Sequence, residues 1–348
     1  MEKKIYASFD YMKIIMALFI MWAHTANEWA HLSGGFHYIL SIYNFGVPFF
    51  FCCSAFLFFS KVRGLEKQDQ DSYYKQWSLR IGKMYLVWSL IYFCFVLVNW
   101  IITGADFKSV ILPYFHKALV FTTYSTIWFL PSLWVGVSIV YFLNKWLGKR
   151  AMYVIVFVLY VVGCLCYNYT SLVCRIPLIE KFVEGYLKYF YTFRNGVFNA
   201  APCALLGYVL ANKNTLPYKK QMYFVLMVLF ALAFIAEGVV IKRNNWAKNI
   251  DMGFMMMPAV YFMMAWLMQL DMKPTNLSMR FRNWSMIIFL GQRLFLSAIP
   301  SVIPGLKESI ISTCSPWMIM CFFTLLIVGF AILMENASKK CEWLKVLW

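Results

Sequence analysis

Ten long apolar segments follow one another along the chain, separated by shorter polar stretches that are mostly basic. They lie at about 11–31, 38–60, 84–103, 127–144, 151–168, 194–212, 221–240, 252–270, 283–303 and 316–334. At 1.5 Å of rise per residue, a helix of about 20 residues crosses roughly 30 Å of hydrocarbon. Runs such as YVIVFVLYVVGCLCY are apolar on every face, which excludes the alternating strands of about ten residues that build a membrane β-barrel. An eleventh stretch, 109–126, is interrupted by Pro113, His116 and Lys117 and reads as a re-entrant or interfacial segment. The pattern predicts an all-α, polytopic membrane protein with about ten transmembrane helices, organised as one integral-membrane domain over 1–348.

Composition agrees. Of 348 residues, 62% are hydrophobic and 14% charged, and the mean hydropathy is +0.65. A soluble domain averages about 45–50% apolar and about 25% charged. A soluble enzyme, a disordered chain and a small disulfide scaffold are therefore excluded.

The net charge of +17 suggests nucleic acid in a soluble protein, but here its distribution settles the matter. With the N-terminus inside, 20 Lys and Arg fall in the inner regions and nine in the outer ones. Lys13, Arg194 and Arg293 lie in or at the ends of spans. This is the positive-inside pattern, and it predicts that both termini are cytoplasmic. No basic domain outside the membrane remains to bind nucleic acid.

The first apolar run carries Lys13 and His24 and is followed by no small-x-small cleavage site, so it reads as an anchor helix. Most of the ten cysteines sit inside spans, where a free thiol behaves as a small apolar side chain. Cys174 and Cys314 lie in outer loops, where a disulfide is open to them. The four histidines show no metal-ligand spacing, and no metal site is expected. No phosphate-binding loop, dinucleotide fingerprint, nucleophile elbow or internal repeat is present.

Polar groups at membrane depth are costly, and each is a functional candidate. Eleven residues, about three helical turns and 16 Å, separate Lys13 from His24, which places them on one face. Glu28 follows on that face at i+4. A carboxylate there can orient the imidazole and strengthen it as a base, or His24 can simply hydrogen-bond between helices. Arg80 and Lys83, at the inner mouth of the third span, can meet phosphate groups or merely obey the positive-inside rule. Arg194 and Asn195 begin the sixth span, where they can bind an acceptor or pair with Glu28. Arg293, beside Gln292, lies halfway through the ninth span and must face protein or a wet cavity. Asn44 and Ser54 on the second span complete the set.

The opening FDYMKIIMALFIMWAHTA, with a basic residue, ten residues and then His, resembles the first span of acyltransferase family 3, the integral-membrane O- and N-acyltransferases. That family usually has Arg where Lys13 stands. NFGVPFFFCCSAFLFF resembles its second span, with Ala55 at a position usually Gly. YYKQWSLRIGKMYLVWSLIY and IWFLPSLWVGVSIVYFL resemble its basic inner loop and its Trp-Phe-Leu segment. TFRNGVFNAAPCALLGYVL is similar to a span of the membrane domains of serine racemases linked to vancomycin resistance. In RNWSMIIFLGQRLF, Gln292 occupies a place where the family often has His.

The resemblance implies a multi-pass enzyme of the bacterial plasma membrane. It would move an acyl group, usually acetyl from cytoplasmic acetyl-CoA, to a hydroxyl or amine of an envelope sugar or polysaccharide precursor. Acyl-CoA is then a co-substrate, and no tightly bound cofactor is expected. In this reading His24 is general base or acyl carrier, supported by Glu28 and Lys13. Arg80 and Lys83 receive the donor, while Arg194, Asn195, Gln292, Arg293, Asn44 and Ser54 line the acceptor side. Two other classes fit the polar stripe: a transporter or flippase for a small amino acid or lipid-linked sugar, and an inactive scaffold.

Overall fold

The computed structural model describes residues 6–30, 41–247 and 250–348. The start of the second expected span, much of the first outer loop, Lys3, Lys4 and Lys248 lie outside the described residues. Among those described the chain is helical, with no strand.

Helix α1 spans Ala7–Thr25 and continues as a π-helical turn over Ala26–Ala30. Then come α2 (Gly46–Arg63), α3 (Lys67–Ile102), α4 (Phe107–Val120), α5 (Phe129–Trp146) and α6 (Gly148–Asn168). A short helix, α7 (Pro177–Phe190), leads to a second π turn, Gly196–Ala200, and α8 (Ala201–Ala211). The chain finishes with α9 (Lys220–Arg243), α10 (Met256–Met268), α11 (Asn276–Arg293), a third π turn (Leu294–Ala298), α12 (Leu306–Thr313) and α13 (Pro316–Ala337).

Within the described residues each of the ten expected apolar segments is largely helical, but not all have the dimensions of a span. Among the described residues six helices are long and apolar enough to cross a membrane, and up to seven if the bent pair Asn276–Ser301 and Leu306–Thr313, with an angle of 106°, counts as one. Gly196–Ala211 and Met256–Met268 are shorter apolar helices. At 1.5 Å per residue they reach only about 24 and 20 Å, less than a full hydrocarbon core. Helix α1 is absent from the six, and it carries Asp10, Lys13 and His24. The stretch expected to be broken at Pro113 folds as α4 with that proline inside the helix.

Local chemistry fixes several starts. Thr275 and Ser278 form a capping box at α11, each side chain accepting from the other's backbone N–H at 3.0 Å. Ser315 caps α13 just ahead of Pro316, a residue with no N–H to leave unpaired.

The chain divides into two compact units: Met1–Gly46, Arg80–Trp128 and Met272–Trp348 in the first, Val47–Leu79 and Phe129–Asp271 in the second. In the first, α1 packs along α11 and against α13. Phe9, Trp29, Trp88, Tyr92 and Phe289 are fully buried there. Their polar tips are satisfied: Trp88 Nε1 donates to the Leu347 carbonyl at 3.1 Å, and Tyr92 Oη to that of Leu290 at 2.7 Å. At one end, Arg282 holds buried Asp10 through two bonds of 3.0 and 2.7 Å. Glu335 accepts from Arg280, Trp284 and Asn283.

In the second unit, α2 and α8 touch backbone to backbone. A Cβ on Gly207 would lie 2.6 Å from the Cys52 carbonyl oxygen, so only glycine allows this approach. Leu86, Leu90 and Ile101 on α3, Leu229 and Leu232 on α9, and Leu325 and Leu333 on α13 are exposed. Such apolar surface needs hydrocarbon around it. Cys174 and Cys314 are both free thiols.

Candidate active site

The polar stripe of α1 meets α11 at one point. Arg293 Nη1 lies 2.5 Å from both carboxylate oxygens of Glu28. Its Nη2 lies 3.1 Å from His24 Nδ1. His24 and Glu28 are themselves only 3.8 Å apart, from Nδ1 to Oε1, too long for a hydrogen bond. The i+4 spacing does put both on one face, as expected. Glu28 stays beside the ring at this distance without bonding it, and the Arg293 guanidinium is the hydrogen-bonding partner of both. The sequence reading placed Arg293 among the acceptor-side lining residues and did not foresee its contacts with Glu28 and His24.

A guanidinium nitrogen only donates. His24 Nδ1 therefore accepts, and the proton of the neutral ring sits on Nε2. With Arg293 charged and Glu28 ionised, the cluster carries no net charge. The side chains of His24 and Glu28 are 27% and 32% exposed, whereas Arg293 is 10%. The ring is thus reachable while its partner is held inside.

Two π turns frame this cluster. Glu28 lies within the first, and Arg293 immediately precedes the third. They are tied to each other, since Trp29 Nε1 in one donates to the Leu296 carbonyl in the other at 2.9 Å. The Arg293 carbonyl accepts from Ser297 Oγ at 3.0 Å, and Tyr124 Oη donates to Ser297 Oγ at 3.1 Å. Tyr124 stacks on buried Tyr92, ring centroids 4.4 Å apart. These contacts fix the backbone that carries Arg293. A π turn widens the helix by one residue and often marks a functional position. No composition or spacing announced it.

The other candidates sort differently. Lys13 is buried on the His24 face and makes no hydrogen bond or ion pair among the described residues. Gln292 is fully buried; its Nε2 donates to the Phe289 carbonyl at 3.0 Å, and its Oε1 has no partner among the described residues. Arg293 Nε and Asn44 Oδ1 are likewise buried without one. Arg80 and Lys83 are exposed on α3. Ser54 is half-buried on α2.

Arg194 pairs with Asp251. Its Nη1 lies 2.6 Å from Asp251 Oδ2, and Tyr167 Oη donates to the same oxygen at 2.8 Å. Asn195 is a helix cap: its Oδ1 accepts from Val197 N at 2.9 Å and Phe198 N at 3.3 Å. Its Nδ2 donates to Tyr186 Oη and to the Thr192 carbonyl. Asn195 thus caps the second π turn, and Arg194, 32% exposed, keeps N–H donors beyond the Nη1 that meets Asp251. A neighbouring carboxylate passed over in the sequence does similar work. Glu237 accepts from Tyr169 Oη and from the backbone N–H groups of Phe254 and Met255.

Comparison with known proteins bears on this arrangement as a whole. Two amino-acid racemases of Enterococcus faecalis are similar to the chain. One is 26% identical over 259 residues, 74% of this chain and 35% of that protein. The other is 22% identical over 307 residues, 86% of this chain and 42% of that protein. The chain thus spans less than half the length of these relatives. No solved structure matches. The family model described as acyltransferase domain matches residues 6–335, nearly end to end and across every residue of the His24–Glu28–Arg293 cluster. The chain belongs to the acyltransferase domain family.

Proposed function

We propose that the protein transfers an acetyl group from cytoplasmic acetyl-CoA to a hydroxyl, or an amine, of a cell-envelope sugar or polysaccharide precursor. On this reading it is an O-acetyltransferase of the bacterial plasma membrane, serving polysaccharide biosynthesis. The observation that carries the proposal is the half-exposed His24 held by Arg293 in a chain of this family.

In the proposed reaction the acceptor oxygen attacks the thioester carbon and its proton passes to His24. The carbon–sulfur bond then breaks and the thiolate of CoA takes the proton back. His24 has one basic nitrogen, Nδ1, so the acceptor hydroxyl must replace Arg293 there. Glu28 keeps hold of Arg293 when that happens, and the charge of the imidazolium is balanced by the oxyanion that forms on the thioester carbonyl. The displaced guanidinium donor is then free to meet the oxyanion that develops on the thioester carbonyl, the largest single source of stabilisation in acyl transfer. An acyl-imidazole on His24 is the covalent variant of the same path. Lys13, buried on the same face, and exposed Arg80 and Lys83 are assigned to the phosphates of the donor.

The test is transfer of labelled acetyl from acetyl-CoA to envelope glycans by the purified protein in vesicles. Absence of transfer to any hydroxyl or amine acceptor would remove the proposal. The transporter reading has one feature in its favour, the 106° break after Ser301. Transporters of that kind place broken helices at corresponding positions of two repeats, and one such break was found among the described residues. Movement of a labelled solute without chemistry would favour it.

A further inference from the structure

The second unit contains a cleft of its own. It has a volume of about 430 Å³ and lies where α2 ends, α3 begins and α5 and α8 end. This is within the usual range of small-molecule sites, roughly 300–1,000 Å³. Phe59 and Val62 supply apolar wall, and Tyr141 and Tyr208 supply ring faces with hydroxyls. Arg63, Lys67 and Lys145 bring three cations, against one carboxylate, Asp71.

The carboxylate is already neutralised. Lys145 Nζ lies 2.8 and 2.6 Å from the two oxygens of Asp71, and Tyr141 Oη donates to Oδ1 at 2.6 Å. Arg63 is anchored with donors to spare. Its Nη1 donates to the Ala211 carbonyl at 3.0 Å and its Nη2 bonds Asn214, which leaves further N–H groups of the five a guanidinium carries. Lys67 has no partner among the described residues and opens α3, at the positive end of that helix dipole. The cleft therefore offers Lys67 without a partner among the described residues, the spare N–H groups of Arg63, a preset ion pair and aromatic walls.

We propose that this cleft is a binding site for a phosphate-bearing ligand that approaches from the side the basic loops assign to the cytoplasm. Arg63 and Lys67 hold the phosphate, and Tyr141 and Tyr208 flank the group attached to it. Basic pockets between membrane helices on this side bind anionic headgroups by the same chemistry. Two sources satisfy it: a soluble nucleotide phosphate, including the 3′-phosphoadenosine end of CoA, or an anionic phospholipid headgroup. The site shares no residue with the His24 cluster and does not depend on the acyl-transfer reading.

The experiment uses the full chain. Binding of 3′,5′-adenosine bisphosphate to detergent-purified protein is measured by calorimetry, and retention of phosphatidylglycerol against phosphatidylcholine by native mass spectrometry from nanodiscs. Lys67→Gln and Arg63→Gln should each weaken one of the two ligands about tenfold, the effect of one lost charge-assisted contact. Lys67→Gln removes no protein contact and so tests the charge even if Arg63→Gln fails to fold. Asp71→Asn should tighten binding, because it removes the one negative charge and frees Lys145. Weakening of the nucleotide alone identifies a soluble ligand, and loss of the lipid alone identifies a headgroup. Binding of neither probe, binding indifferent to Lys67→Gln, or weaker binding by Asp71→Asn overturns the proposal.

Discussion

Arg293 Nη2 lies 3.1 Å from His24 Nδ1, although 269 residues separate them in the chain. That contact decides which ring nitrogen carries the proton and so which one is the base. It also explains why a charge halfway along a late helix is tolerated. Glu28 balances it, and the pair presents a neutral cluster to the membrane interior.

His24→Ala is expected to lower acyl transfer by about 10²–10⁴-fold, the usual range for loss of a general base. Membrane insertion and expression should not change, since the His24 side chain is half-buried rather than core. Steady-state transfer with purified protein checks this. Full activity would return His24 to a role in helix contact.

Arg293→Gln should do two things at once. It leaves the Glu28 carboxylate without its cation, at a cost of about 2–3 kcal/mol of stability, and it frees Nδ1. Arg293→Gln combined with Glu28→Gln should recover the stability and not the activity. Thermal unfolding of the single and double variants, set beside their kcat, separates the two effects. Arg293→Lys should also fall short, because one ammonium cannot reproduce a fork that serves both partners.

Asn195→Ala should cost about 1 kcal/mol or more through loss of the cap and leave the KM for the acceptor unchanged. Its four hydrogen bonds all go to the protein. A raised acceptor KM in folded protein would instead give Asn195 the acceptor-side role that the sequence suggested.

Charge reversal at Arg80 or Lys83 should raise the KM for acetyl-CoA about tenfold or more, through one lost charge-assisted contact. Both side chains are exposed, so folding should not suffer. An unchanged KM would leave them as ordinary positive-inside residues.

Both termini should face the cytoplasm. Cys341 should resist a membrane-impermeant thiol reagent added to intact cells and react after permeabilisation. Labelling from outside would reverse the orientation drawn from the 20 inner and nine outer basic residues.

The sequence by itself determined the helical class, the membrane setting and one face of one helix. These follow from local composition and from the 3.6-residue period, which carries Lys13, His24 and Glu28 onto a single stripe without help from the rest of the chain. It also carried the family resemblance, since the order of short motifs is a property of the chain alone. The number of full spans was not legible in the same way. Apolar runs do not report where a helix ends, and Gly196–Ala211 and Met256–Met268 stop short of the length that hydropathy suggested.

Only tertiary structure decided which charge meets which. Arg194 and Arg293 are each adjacent to an amide in the chain, and the sequence offered only Arg194 as a partner for Glu28. Packing of α1 along α11 gave Glu28 to Arg293, while the 250–255 segment gave Asp251 to Arg194. The π turns that set these registers are backbone adjustments of a single residue, stabilised by contacts such as Trp29 to the Leu296 carbonyl, 267 residues away. A pattern read along one strand of sequence holds no term for a partner that distant, and so the tautomer of His24 is a property of the fold.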